Sequence, residues 1–243
     1  MFLENKKVII FDLDGTLIDS IGIWNAVDEE LIKKISKDGK IDDVDIAKQR
    51  DTKLKEFSKT EHAYLEYCGF LGKKYGSNLS KEEIKKLRYE IAEDYITNKV
   101  DYKPYAEKII KYLKEKGYTL IIASTTNDHT IDIYKKYNKN IISKAKLDDY
   151  FTAIYSKGSV KELKPNPEVY LKIINELKVK KEDCIIIEDS LIGVEAANNA
   201  GIDVAVIYDK YSDCDREKIN ELSQYRFSDF KEMLNELDLK NIP

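Results

Sequence analysis

An α/β fold, in which a doubly wound, Rossmann-like parallel sheet carries an inserted all-α domain, is what this chain of 243 residues predicts. Short apolar runs recur at Val8 to Phe11, Thr119 to Ala123, Phe151 to Tyr155, Cys184 to Ile187 and Val204 to Ile207, with helical patterns between most of them. Strands buried on both faces read as continuous apolar runs, and their alternation with helices argues for a parallel sheet covered on two sides. Residues 20–99 break that alternation, because they offer several amphipathic helices and no strand. Chemistry-bearing side chains follow the runs at Asp12, Asp14, Ser124, Glu188 and Asp189. These are the carboxyl ends of the expected strands, where open α/β sheets form their binding crevice.

Composition narrows the class of function. Lys and Arg number 41 against 45 Asp and Glu, for a net charge of −4, so no basic field recruits nucleic acid and no acidic tail is evident. Arginine occurs only at Arg50, Arg88, Arg216 and Arg226, and the wealth of Lys, Ile, Tyr and Asn reads as a coding bias without functional content. Cys68, Cys184 and Cys214 have neither metal-ligand nor redox spacing and fit a reducing compartment. The N-terminal apolar stretch is interrupted by Glu4, Lys6 and Lys7, which is too brief for a signal peptide or a membrane span. The expectation is a cytoplasmic protein, monomeric or weakly oligomeric, with no nucleic-acid or membrane partner.

The first run ends in Phe11-Asp12-Leu13-Asp14-Gly15-Thr16. A strand alternates its side chains with period two, so Asp12 and Asp14 project to one side and Leu13 to the other. At about 4 Å and an effective dielectric near 20, two carboxylates repel by roughly 4 kcal/mol, so such a pair is expected to share a proton or bind a cation. An acidic turn after a strand is the plain alternative. The later runs decide against it.

Within the insertion, Trp24, Val27, Leu31 and Ile35 form one apolar stripe, Tyr64, Tyr67, Cys68, Leu71 and Tyr75 a second, and Ile84, Leu87, Ile91 and Tyr95 a third. Stripes at this spacing are bundle core rather than a cofactor site. Ser80 and Glu83 make a capping box for the last helix. Lys103-Pro104 marks the return to the sheet, with a helix from about Tyr105 to Lys116 that stops at Gly117. The predicted domains are therefore residues 1–19 with 100–243, and residues 20–99.

Three further elements follow later strands. After the second run come Ser124-Thr125-Thr126-Asn127, and a hydroxyl with free backbone amides at a helix N-terminus suits a phosphate oxygen. One of the three hydroxyls is expected to cap the helix, and Ser124, the first polar residue after the strand, is the phosphate candidate. Lys164 stands in Lys164-Pro165-Asn166-Pro167-Glu168. Pro165 holds it out of the helical region, Asn166 can cap and Pro167 opens the next helix, so a compact charge is presented from a stiffened loop. The fourth run ends in Glu188-Asp189-Ser190, which brings four carboxyls to one edge of the sheet. All-oxygen donors of this kind select magnesium over zinc.

In these four motifs and their order the chain resembles the haloacid dehalogenase superfamily of phosphatases, in the branch that carries a helical cap after the first motif and includes β-phosphoglucomutase and phosphoglycolate phosphatase. The resemblance covers the whole chain in architecture and only the motifs in residues. It implies that Asp12 is nucleophile and metal ligand, and that Asp14 is general acid/base and a ligand through its backbone carbonyl. It implies that Ser124 and Lys164 bind the phosphoryl group, that Asp189 with Glu188 completes a Mg2+ site, and that Thr16 makes local hydrogen bonds. Relatives that cleave carbon–halogen bonds lack an acid at the place of Asp14 and phosphonate-cleaving ones carry alanine, so Asp14 favours phosphomonoesters. The expected activity is hydrolysis of a small phosphorylated metabolite through an aspartyl-phosphate. Its rivals are a sugar phosphomutase using the same core residues and a non-catalytic binding protein on the same fold. The insertion shows no match to the glycine-containing specificity loop of the mutases. Arg50, Lys53 and His62 there, and His129 after the second motif, are therefore read as helix surface before substrate contacts.

Overall fold

Val8, Ile9, Ile10 and Phe11 are all buried, which an alternating strand permits only when both of its faces are covered. In the computed structural model, which describes residues 2–40, 45–57 and 60–238, this segment is β1 (Val8–Phe11), in the middle of a six-stranded parallel sheet. The others are β2 (Thr119–Ala123), β3 (Ala153–Tyr155), β4 (Cys184–Glu188), β5 (Asp203–Ile207) and β6 (Tyr225–Phe227), in the order β3-β2-β1-β4-β5-β6. Phe11 is in register with Ile122 of β2 and Ile187 of β4, so the chain leaves all three central strands at the same height. The order reverses at β1, and a crevice opens at such a switch point.

Four helices form the insertion: α1 (Ile23–Ile35), α2 (Ile46–Glu56), α3 (Ala63–Lys74) and α4 (Lys81–Asn98). The sheet is accompanied by α5 (Ala106–Glu115), α6 (Asp128–Lys136), α7 (Lys139–Ala145), α8 (Leu147–Tyr150), α9 (Glu168–Leu177), α10 (Leu191–Ala200), α11 (Arg216–Leu222) and α12 (Phe230–Asp238). Val8, Ile10, Ile121, Cys184, Ile186 and Val204 face Tyr170 and Ile173 of α9 and Val194 and Ala197 of α10. Ile9, Phe11, Leu120, Ile122, Ile185 and Ile187 alternate with them and are equally buried, with α5 against β2. This is the doubly wound sheet that the alternation predicts.

Two elements depart from the expectation. The third strand starts at Ala153 rather than Phe151, because Phe151 closes α8 and packs its ring edge-on against Phe11, with centroids 6.1 Å apart. The sixth strand is an addition: Tyr225, Arg226 and Phe227 pair with β5 at the sheet edge, and Phe2 packs on both aromatic rings.

The chain divides at 21/22 and 99/100 into two compact units. In the sheet unit, the segments leading out to and back from the insertion are tied by an antiparallel bridge between Ile18 and Tyr102. Asp19 N donates to Asp101 O at 3.0 Å and Lys103 N to Leu17 O at 2.8 Å. In the helical unit, Val27, Leu31, Ile35, Tyr67, Cys68, Leu71, Ile84 and Ile91 make one core, with Trp24, Leu87 and Tyr95 packed against it. The capping box forms as expected: Ser80 N donates to Glu83 Oε2 at 2.7 Å and Ser80 Oγ accepts from Glu83 N at 3.2 Å. Tyr64 is the exception among the stripes. It is 42% exposed, and its ring stands 5.1 Å from the guanidinium of Arg88, with Trp24 5.0 Å away. Arg88 Nε donates to the fully buried Asp28 at 2.7 Å, and Arg50 Nη1 donates to the other oxygen at 3.0 Å. Among the described residues, no helix is long and apolar enough to cross a membrane.

Candidate active site

One cavity of about 250 Å³ in the sheet unit is lined by Asp12, Asp14, Ser124, Lys164, Glu188 and Asp189. They converge because Asp12, Ser124 and Glu188 end or follow the three central strands. Asp12 N still donates to Ile187 O at 2.9 Å, and Ser124 N to Tyr155 O at 2.8 Å, so the ladder carries one residue beyond β1 and β2. Ile21, Thr125, Ser190, Ile192, Tyr211 and Ser212 complete the wall.

Lys164 is the hub. Its ammonium donates to Asp12 Oδ1 at 2.7 Å, Glu188 Oε1 at 2.6 Å and Ala123 O at 2.9 Å, which uses all three N–H bonds. The two prolines present it as expected, although α9 starts at Glu168 with Pro167 one place before the helix, and Asn166 Oδ1 accepts from Glu168 N at 3.0 Å. Burial works against the Lys164 charge, but Asp12 and Glu188 outweigh it and hold the ammonium well above the usual lysine range. Burial pushes Asp12 well above the ordinary carboxyl range, with Lys164 opposing and Glu188 and Asp189 adding to the rise. Asp189 is pushed up to about 7 by burial and by Glu188, against the hydrogen bond from Thr16. The acids that crowd Asp12 are thus Glu188 and Asp189.

Asp14 has a different environment. Ser20 Oγ donates to its Oδ1 at 2.5 Å, the Tyr134 hydroxyl donates to the same oxygen at 3.0 Å, and Thr126 Oγ1 donates to Oδ2. Burial and the Asp14 charge hold the Tyr134 phenol well above its usual range, so it stays a hydroxyl. Of the two outcomes expected for Asp12 and Asp14, a shared proton or a bound cation, the shared proton gives way to two separately held acids.

Asp12, Glu188 and Asp189 each offer an oxygen within 4.8 Å of the others, and the Asp14 carboxylate is outside this group. Three acids against one lysine leave an excess of acid groups, and an all-oxygen donor set of that kind fits a hard divalent cation, whose charge would favour their ionised forms. Glu188 Oε2 already accepts from Asp189 N at 2.9 Å and Ser190 Oγ at 3.1 Å. Thr16 Oγ1 donates to Asp189 Oδ1 at 2.6 Å, a contact across 173 residues rather than a local one. Two glycines make the room. Gly15, at φ +92°, would place a Cβ 2.7 Å from Asp189 Oδ2, and a Cβ at Gly193 would fall 1.7 Å from Glu188 Oε1.

Among the hydroxyls after β2, the helix cap is Asn127, whose side chain accepts from Thr130 N, and none of the three expected candidates. Ser124 is buried and its Oγ accepts from Thr126 N at 3.0 Å. Arg50 is spent on Asp28, Lys53 pairs with Glu56 at 2.7 Å, His62 precedes α3 at the surface, and His129 is exposed on α6. Sequence reasoning missed Ser20, Thr126 and Tyr134 around Asp14. It also missed Asp209, which follows β5, takes Lys103 Nζ at 2.5 Å and accepts from Tyr211 N at 2.8 Å, holding the turn that carries Tyr211 and Ser212 to the cavity. The rule that singled out acids at strand ends applied to Asp209 as well.

Residues 9–207 match the family model described as haloacid dehalogenase-like hydrolase. A phosphoglycolate phosphatase of Aquifex aeolicus is 30% identical over 207 residues, covering 82% of this chain and 84% of that protein. A glyceraldehyde 3-phosphate phosphatase of Pyrococcus furiosus is 27% identical over 243 residues, covering 98% and 96%. Among solved structures, a Thermotoga maritima protein provisionally described as a β-phosphoglucomutase superposes with a TM-score of 0.74 at 23% identity, covering 98% of this chain and 100% of that one.

Proposed function

This chain belongs to the haloacid dehalogenase-like hydrolases, and on that premise we propose that it is a magnesium-dependent phosphatase of a small phosphorylated metabolite. The observation that carries the reading is the buried excess of acid around Asp12 and Lys164, with Asp14 held apart by hydroxyls. Asp12 attacks phosphorus through the oxygen that Lys164 does not hold, a phosphorus–oxygen bond forms, and the bond to the leaving oxygen breaks. Asp14 gives that oxygen a proton. It then takes one from the water that attacks phosphorus, Asp12 is released and inorganic phosphate leaves. The Ser124 hydroxyl and the Lys164 charge offset the charge on the equatorial oxygens. Asp12 and Asp189, backed by Glu188, would hold the divalent cation, which supplies further charge neutralisation at the phosphoryl group when bound. Because these groups are committed to phosphoryl and metal, the helical unit is assigned the choice of leaving group.

The relatives named for phosphoglycolate and glyceraldehyde 3-phosphate define the first substrates to try. The experiment is inorganic phosphate release from these two, glycerol phosphates and sugar phosphates, with magnesium and with excess chelator. Release is expected from at least one ester and is expected to stop on chelation. Undiminished turnover in excess chelator would sink the metal-dependent reading.

A further inference from the structure

Both oxygens of Asp14 are held by hydroxyls, and the three carriers differ in how firmly they are held themselves. Ser20 lies just before the chain leaves the sheet unit and Thr126 in the turn after β2, so both are on irregular backbone. Tyr134 is on α6 and 1% exposed, one of the three residues that this helix buries, with Ile131 and Ile133. A carboxyl that gives a proton to the leaving oxygen and then takes one from water must keep its orientation in both protonation states. A hydroxyl suits that task, because it donates to a carboxylate and accepts from a carboxylic acid. The one on a helix, carried by a buried ring, is the fixed member of the set.

We infer that Tyr134 is a positioning residue for Asp14, its hydroxyl 3.0 Å from Oδ1 fixing the plane of the carboxyl so that the proton passes to the leaving oxygen. This rests on the phosphatase reading above. Tyr134 does not line the cavity, and it acts only through Asp14.

The test is Tyr134→Phe in the full chain with magnesium, which removes one oxygen and keeps the ring. Two esters are compared by kcat/KM, which reports on the steps through phosphoenzyme formation: glycerol phosphate, whose alkoxide must be protonated as it leaves, and 4-nitrophenyl phosphate, whose phenolate needs little help. Acid assistance is worth about 10²- to 10⁴-fold and loss of one of its three holders removes part of it, so kcat/KM is expected to fall about tenfold on glycerol phosphate and less than about twofold on 4-nitrophenyl phosphate. Thermal melting of the variant records that the fold is kept. Equal losses on the two esters, or no loss on glycerol phosphate, would overturn the inference while leaving the phosphatase reading in place. A native chain that releases phosphate from none of the panel of esters above, and not from 4-nitrophenyl phosphate, overturns both.

Discussion

Each of the two units buries a cluster of charges, and the two clusters are built to opposite stoichiometry. In the helical unit a single aspartate, Asp28, is shared by two arginines, Arg88 and Arg50, and Arg88 is also flanked by Trp24 and Tyr64. In the sheet unit a single lysine faces three acids, Asp12, Glu188 and Asp189. The first cluster satisfies its buried anion twice over and joins α1, α2 and α4. The second leaves more acids than its lysine can pair, in a cavity. Burial of charge is therefore not by itself the mark of a reactive site: the helical cluster pairs its buried anion within the chain, whereas the sheet cluster has more acids than its one lysine can pair, and on the proposed reading a cation takes up the rest.

Substitutions separate the two. Asp12→Asn removes the proposed nucleophile, and turnover is expected to fall by about 10⁴-fold or more, with phosphate release as the measurement. It also relieves crowding among acids, so the melting temperature without metal is expected to be kept or raised; a variant that unfolds instead would assign Asp12 to the scaffold. Arg88→Ala is the converse. Breaking a buried ion pair costs about 3–5 kcal/mol, and with Arg50 still on Asp28 the lower end is expected in denaturant unfolding, while turnover of 4-nitrophenyl phosphate stays within about twofold. A comparable loss of turnover would tie the helical cluster to the chemistry and erase the distinction.

Smaller effects sharpen it. A ligand at a hundred times its Kd stabilises the native state by about 2.7 kcal/mol, so saturating magnesium is expected to raise the melting temperature of the native chain and to do much less for Asp189→Asn. An equal rise in both would place the cation elsewhere. Ser80→Ala removes one half of the capping box of α4 and is expected to cost about 1 kcal/mol of stability without changing turnover. A change in turnover would show that α4 has a part in catalysis.

The sheet cluster was legible in the sequence and the helical one was not, for a physical reason. Asp12, Ser124, Glu188 and Asp189 stand at the ends of apolar runs, and parallel pairing in register brings such ends together whatever their separation in the chain. Lys164 was legible from the two prolines around it. Asp28, Arg50 and Arg88 sit within helices among many other charged residues, and nothing in their spacing marks them as buried partners. The Asp14 hydroxyls were hidden likewise: Thr126 and Tyr134 lie 112 and 120 residues away, and they meet Asp14 only through packing of the turn after β2 and of α6. The β6 strand was missed because Arg226 interrupts its two aromatics, a pattern that an edge strand tolerates and an apolar-run search does not detect.

The central claim is that Asp12 becomes phosphorylated and that Asp14 serves the steps on either side. Asp14→Asn keeps the nucleophile and removes the acid/base, so with magnesium and 4-nitrophenyl phosphate, whose leaving group needs little protonation, the phosphoenzyme is expected to accumulate. Rapid quench in acid followed by peptide mass spectrometry is expected to locate the phosphoryl group on Asp12 and to find none in Asp12→Asn. A phosphoryl group on any other residue, or turnover by Asp14→Asn at the native rate, would contradict the account.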